Sequence, residues 1–164
     1  MNYPAPISAS IPFLDQVFSA LTEVGIRVED YELDHICYRV ADETRYRRLK
    51  VTLLTSGTLL SEKEIGGRPI ATIRLATPII YHDREIWVLE LPMPKTGSPY
   101  SEGYEHIEFV IDESLQSFQA RYPWIKFDTK GLHKAINADL RLKFDGFSVK
   151  FHEQSLAYVI QYLE

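Results

Sequence analysis

The sequence predicts an α+β fold: two βαβββ modules forming a cup-shaped, partly open mixed sheet, preceded by an N-terminal helix. Three observations point to it. Asp34-His35-Ile36-Cys37-Tyr38 returns as Glu105-His106-Ile107-Glu108-Phe109, acid, histidine, isoleucine, variable residue, aromatic, with the histidines 71 residues apart (106 − 35). Each copy opens a run of strand, helix and then three strands. Between the copies, residues 92–103 gather Pro92, Pro94, Gly97 and Pro99, a turn-rich connection too short to separate free domains.

Taken in order, Ser10-Ile11-Pro12 reads as a helix start, with Ser10 as N-cap and proline tolerated in the first turn. Phe13, Val17, Leu21 and Val24 recur at helical spacing, and Gly25 closes a helix over 10–25. The first module spans 31–94: a strand from Asp34 to Val40, a basic helix from Glu43 to Leu54, and strands over 58–64, 68–75 and 85–91. The second spans 103–154: a strand from Tyr104 to Ile111, a helix from Glu113 to Tyr122, and a strand from Trp124 to Thr129. A loop from Lys130 to Asn137 and a hairpin across Asp145-Gly146 complete it. Residues 155–163 form a closing amphipathic helix, and the whole chain, 1–164, makes one domain.

Composition narrows the function. Hydrophobic residues make up 45% and charged residues 25% of 164, the balance of a globular protein. A net charge of −5 with scattered Lys and Arg argues against nucleic acid or an anionic membrane as partner. Cys37 is the only cysteine, which excludes an internal disulfide and a thiolate cluster. The start MNYPAPISAS has neither a basic head nor an apolar run, and no apolar stretch spans a bilayer, so the expected location is the cytoplasm. Phosphate loop, serine elbow and His-Glu-x-x-His helix are all absent from the sequence.

The repeat suggests a metal site. With Trp87-Val88-Leu89-Glu90 set against Val149-Lys150-Phe151-His152, Glu90 falls opposite His152. His35, Glu90, His106 and His152 then occupy two pairs of equivalent positions, able to converge if the halves pack about a twofold. Imidazoles and a carboxylate suit Fe, Zn, Mn, Co or Ni better than Ca or Mg, and leave coordination positions for substrate. Ligating imidazole must be neutral, so affinity should fall as pH drops through the histidine range near 6.5. Competing readings stand beside these: Glu90 as an outward residue of a half-buried strand, and Glu153 as ligand in place of His152. Alternation sends Val149 and Phe151 toward the helices and Lys150 and His152 toward the cup.

Other residues follow from the same geometry. Arg39 shares the His35 face, where it could hold an anion or pair with Asp34 or Glu43; Cys37 on that face packs. Arg68, in the Gly66-Gly67 turn, is either structural or an anion anchor. Glu108 shares the His106 face as an acceptor orienting a ligand histidine, or as a general base, the catalytic candidate. His133 lies in a loop that could cover the pocket or stay in solvent, and His82 sits at an exposed turn.

Several segments together resemble the bacterial YecM family: Asp34-His35-Ile36 with Arg39, Leu59-Leu60-Ser61-Glu62, Gly67-Arg68-Pro69-Ile70, and Glu90-Leu91-Pro92 with Pro94. Glu102-Gly103-Tyr104-Glu105-His106-Ile107-Glu108, Lys130-Gly131 with His133, and Lys150-Phe151-His152 continue the likeness, which runs from about residue 12 to the end. The resemblance implies the vicinal oxygen chelate superfamily of glyoxalase I, extradiol dioxygenases and bleomycin-resistance proteins, with metal ligands on the first and last strands of each half. Here that pattern maps to His35, Glu90, His106 and the His152 region, where many members carry glutamate. Isomerases, lyases, dioxygenases and metal-free binding proteins share that fold, so it does not choose a reaction. The expectation is a divalent-metal-dependent enzyme acting on a small, oxygen-rich, anionic molecule held by Arg39, Arg68 or His133. The alternatives are a non-catalytic binding or sensing module using the same cup, and a scaffold; a homodimer is compatible with each.

Overall fold

The structure, a computed structural model, describes residues 5–98 and 100–164; residues 1–4 of the N-terminal reading and Pro99 of the connection lie outside them. Helices α1 (Ala5–Ser8) and α2 (Ser10–Glu23) lead into β1 (Glu32–Arg39), α3 (Glu43–Leu54), β2 (Thr58–Ile65), β3 (Arg68–Tyr81) and β4 (Arg84–Pro92). The second half has β5 (Gly103–Val110), α4 (Leu115–Arg121), a 3-10 turn (Lys130–His133), β6 (Leu140–Lys143), β7 (Ser148–His152) and α5 (Leu156–Tyr162).

The strands form one open mixed sheet in the order β2-β3-β4-β1-β5-β7-β6. Within each half the first strand runs parallel to the last, β1 beside β4 and β5 beside β7, so each crossover returns to its own start. The halves join through the antiparallel pair β1–β5, in which Ile36 faces Ile107. Those isoleucines are equivalents in the sequence repeat. A local twofold therefore passes between them and exchanges one half for the other, which carries His35 onto His106.

Alternation along the strands decides what fills each face. Ile36, Leu89, Leu91, Ile107, Phe109, Val149 and Phe151 are buried on the face covered by helices. Leu14, Val17 and Leu21 of α2, Leu49 and Leu53 of α3, and Leu115 and Phe118 of α4 meet them in one continuous core. Phe118 sits with its ring centroid 4.5 Å from that of Phe151. The other face, bearing His35, Glu90, His106, Glu108 and His152, is the cup, and Leu156 and Val159 of α5 help line it.

Three expectations need correction. Residues 124–129 form no strand; the segment touches β6 through a single bridge, Asp128 to Arg141. Pro123 removes a ladder donor, and Trp124 is spent on the Val24 carbonyl, to which its indole N–H donates at 2.8 Å. Ser10 lies inside α2 rather than capping it, because α1 runs almost directly into that helix and Ala9 takes the cap position. Strand β3 continues to Tyr81, held by pairing with β4 that resumes at Ile79–Ile86 after an irregularity. Tight turns are as expected: Gly66 and Gly67 join β2 to β3 at φ 60° and 83°, and Gly146 turns the β6–β7 hairpin at φ 83°. Among the described residues no helix is long and apolar enough to cross a membrane.

Candidate metal centre

Two β-bulges build the centre. In the β1–β5 ladder Leu33 pairs with Phe109 and His35 with Glu108, leaving Asp34 as an extra residue. Farther along, Cys37 pairs with His106 and Tyr38 with Tyr104, leaving Glu105 as the extra residue on β5. The twofold relates the two positions, and each is the acid preceding a histidine. A bulge lets successive side chains turn the same way. Accordingly the Asp34 carboxylate accepts from His35 Nδ1 at 2.7 Å, and Glu105 takes His106 Nδ1 in the same manner. With Nδ1 fixed as donor, each ring aims Nε2 into the cup, the arrangement that metal-binding histidines favour.

The nitrogens meet carboxylates there. Ligand atoms of His35, Glu90 and His106 all lie within 4.8 Å of one another. Glu90 reaches His35 Nε2 at 3.9 Å and His106 Nε2 at 3.6 Å. Glu108 Oε1 lies closer, 3.4 Å from His35 Nε2 and 3.1 Å from His106 Nε2. On its other side Glu108 Oε2 touches His152 Nε2, whose ring donates Nδ1–H to the Ala138 carbonyl at 2.9 Å. Lys150 Nζ stands 3.4 Å from Glu108 Oε1.

Electrostatics follow from this crowding. Burial disfavours a charged His35, but the carboxylates of Glu108 and Asp34 outweigh it and push its pKa up to about 10. His106 is likewise raised well above the ordinary range, burial being overcome by Cys37, Glu105 and Glu108. Glu108, although buried, is held well below the carboxylate range by His35, His152 and Lys150. Burial pushes the Cys37 thiol up to about 11, so it is a packed thiol and not an activated thiolate.

The Nε2 atoms of His35, His106 and His152 are all buried without a hydrogen-bond partner of good geometry. Three such orphans at one place are unusual. A divalent cation fits the set: two imidazole nitrogens with carboxylate oxygens are the donors expected for Zn, Fe, Mn, Co or Ni.

The registers revise the earlier pairing of the two last strands. Cys37 lies opposite Glu90 and its equivalent, Glu108, lies opposite Lys150. Lys150, not His152, is thus the twofold counterpart of Glu90. A slip of two residues keeps each side chain on its face, so His152 still points into the cup. Glu153 does not: its carboxylate accepts from the Leu115 N–H at the start of α4, at 2.9 Å.

The remaining candidates separate. Arg39 lines the cavity, but it pairs with Glu105 at 3.4 Å and lies over the Tyr100 ring at 4.2 Å. Neither Asp34 nor Glu43, the partners weighed from sequence, holds it. Arg68 also lines the cavity and donates to the Ile65 carbonyl at 2.7 Å, with no carboxylate paired to it among the described residues. His133 is exposed and outside the cavity lining, because the 3-10 turn buries Gly131 against Asp139 and turns His133 outward. His82 is exposed, as expected. The cavity encloses about 680 Å³, the size of a small-molecule site. The role of Asp34 and Glu105 in fixing the two rings was not foreseen from the sequence, where the acid before each histidine was the available signal.

Comparison with known proteins agrees with the sequence motifs. The model of the YecM protein family matches residues 6–163. Protein YecM of Escherichia coli is 28% identical over 173 aligned positions, covering 94% of this chain and 90% of that protein. An uncharacterised protein of Haemophilus influenzae is 33% identical over 106 residues, 64% of this chain but only 56% of that protein. Among solved structures, one titled protein EC4020 superposes with TM-score 0.79 at 26% identity, covering 96% of this chain and 91% of that one. A hypothetical protein of Bacillus halodurans shares the fold, with TM-score 0.53 at 19% identity over 77% of this chain and 96% of that one. A family match over nearly the whole chain has a plain meaning: the chain belongs to the YecM family.

Proposed function

We propose that the cup binds one divalent transition-metal ion through His35, Glu90 and His106, and that the protein is a metal-dependent enzyme acting on a small, oxygen-rich, anionic molecule. The observation that carries this reading is the pair of buried Nε2 atoms of His35 and His106, without hydrogen-bond partners and aimed at carboxylates, each imidazole fixed from behind by its own acid. A cation bound there would supply Lewis acidity toward two neighbouring oxygens of the ligand.

The chain's own residues do the rest. Asp34 and Glu105 hold the rings in the tautomer that presents Nε2 to the cup. Arg68 is the anion anchor this arrangement favours, since Arg39 is already committed to Glu105. Leu156 and Val159 of α5 give part of the cup an apolar lining. The test has two parts. Protein purified without a His-tag or chelators is assayed for metal content, then for turnover of a panel of diketone-derived, catecholic and hydroxy-acid substrates. One equivalent of metal with turnover of a panel member supports the reading. Metal without turnover leaves a binding module, and no metal removes the site.

A further inference from the structure

We infer that Glu108, on the first strand of the second half, is the fourth protein ligand of the metal, and that His152 and Lys150 are its positioning residues. This rests on the metal-binding reading above. A symmetric site would take its fourth ligand from the last strand of the second half, opposite Glu90. The registers put Lys150 there, and a protonated ammonium cannot ligate. The carboxylate missing from that corner stands instead across the ladder from Lys150, at Glu108.

Geometry favours Glu108 over His152. Ligand bonds of about 2.0–2.2 Å place neighbouring ligand atoms about 3.0 Å apart around an octahedral ion and about 3.4 Å apart around a tetrahedral one. Glu108 Oε1 lies 3.1 and 3.4 Å from the two histidine nitrogens, inside that range and closer than Glu90. His152 approaches from the far side of the same carboxylate and touches the other oxygen, Oε2. Glu108 therefore stands between His152 and the shared point. With Nδ1 bound to the Ala138 carbonyl, His152 is locked in a position that serves Glu108. Lys150, 3.4 Å from Oε1, balances the charge that a second carboxylate adds to the centre. The inferred set is two histidines and two glutamates.

The experiment uses untagged, chelator-treated protein and Co²⁺ alone, titrated against a chromophoric chelator while the cobalt d–d bands are recorded. Glu108→Gln, which keeps the side-chain volume, should lower Co²⁺ affinity at least 100-fold and change the band pattern. Glu108→Asp should recover part of the loss. His152→Gln and Lys150→Met should each lower affinity about tenfold or less, with the wild-type band pattern retained. Thermal melts confirm that each variant is folded. Glu108→Gln binding within threefold of wild type, or His152→Gln altering the bands while Glu108→Gln does not, overturns the assignment and leaves the three-residue site standing. Wild-type protein that binds no Co²⁺ overturns both.

Discussion

Asp34→Ala is the substitution whose consequences the structure spells out most fully. Asp34 Oδ2 accepts two hydrogen bonds, from His35 Nδ1 at 2.7 Å and from the Leu156 N–H at the start of α5 at 2.9 Å. The carboxylate thus ties the His35 ring to α5, which helps line the cup. Losing the acceptor behind a ligating histidine costs about 10–100-fold in metal affinity, roughly 1.4–2.7 kcal/mol. The His35 Nδ1–H is also left buried without a partner, which costs folding about 1–3 kcal/mol. For a chain of this size that lowers Tm by about 2–12 °C. Asp34→Asn keeps an oxygen for both donors and removes only the charge, so it should fall between wild type and alanine on both scales. Competition titration with Zn²⁺, thermal melts, and hydrogen exchange over residues 156–162 read the three effects, the last being faster exchange in the alanine variant. Metal affinity within twofold of wild type in Asp34→Ala, with unchanged exchange in α5, would refute the reasoning.

Metal binding should release protons even at pH 8. His35, with its pKa raised to about 10, carries a proton there that a cation must displace, and His106 is shifted in the same direction. Affinity therefore falls as pH drops across a range starting well above 6.5, and calorimetry in buffers of different ionisation heat should find at least one proton released; none released contradicts this. The same shifts act on the metal-free fold with a definite sign. Stability from protonated His35 is fully present below about 6.5 and lost as pH rises toward 10, so metal-free protein should melt lower at pH 9.5 than at pH 7. Glu153→Ala removes the acceptor for the Leu115 N–H and should cost about 1 kcal/mol of stability, leaving metal affinity within twofold. Gly131→Ala places a methyl group on the Asp139 carboxylate and should destabilise by about 1–3 kcal/mol, read as a lower Tm.

Much of this architecture could be read from residue pattern. The acid-histidine-isoleucine repeat located both central strands and, through Ile36 and Ile107, the twofold itself. Period-two alternation put Val149 and Phe151 under the helices and Lys150 and His152 in the cup. That same periodicity hid the register: a slip of two residues leaves every side chain on its face, so pattern alone could not tell Lys150 from His152 as the counterpart of Glu90. The bulges escaped for a related reason. Strict alternation sends Asp34 and Glu105 away from their histidines, and only the ladder shows the extra residue that turns them back. Residues 124–129 looked like a strand because Trp124, Ile125 and Phe127 are apolar. Phe127 is buried, but Trp124 leaves the sheet to bond Val24, and the second half keeps one bridge where the first keeps a full strand.

The central claim is that His35, Glu90 and His106 hold one metal ion. Its most direct test is a stoichiometric titration of untagged, chelator-treated protein with Zn²⁺ at pH 8, beside the His35→Ala/His106→Ala double variant. One equivalent bound by wild type and none by a folded double variant is the predicted result. Equal binding by both proteins would place the metal elsewhere and contradict the account.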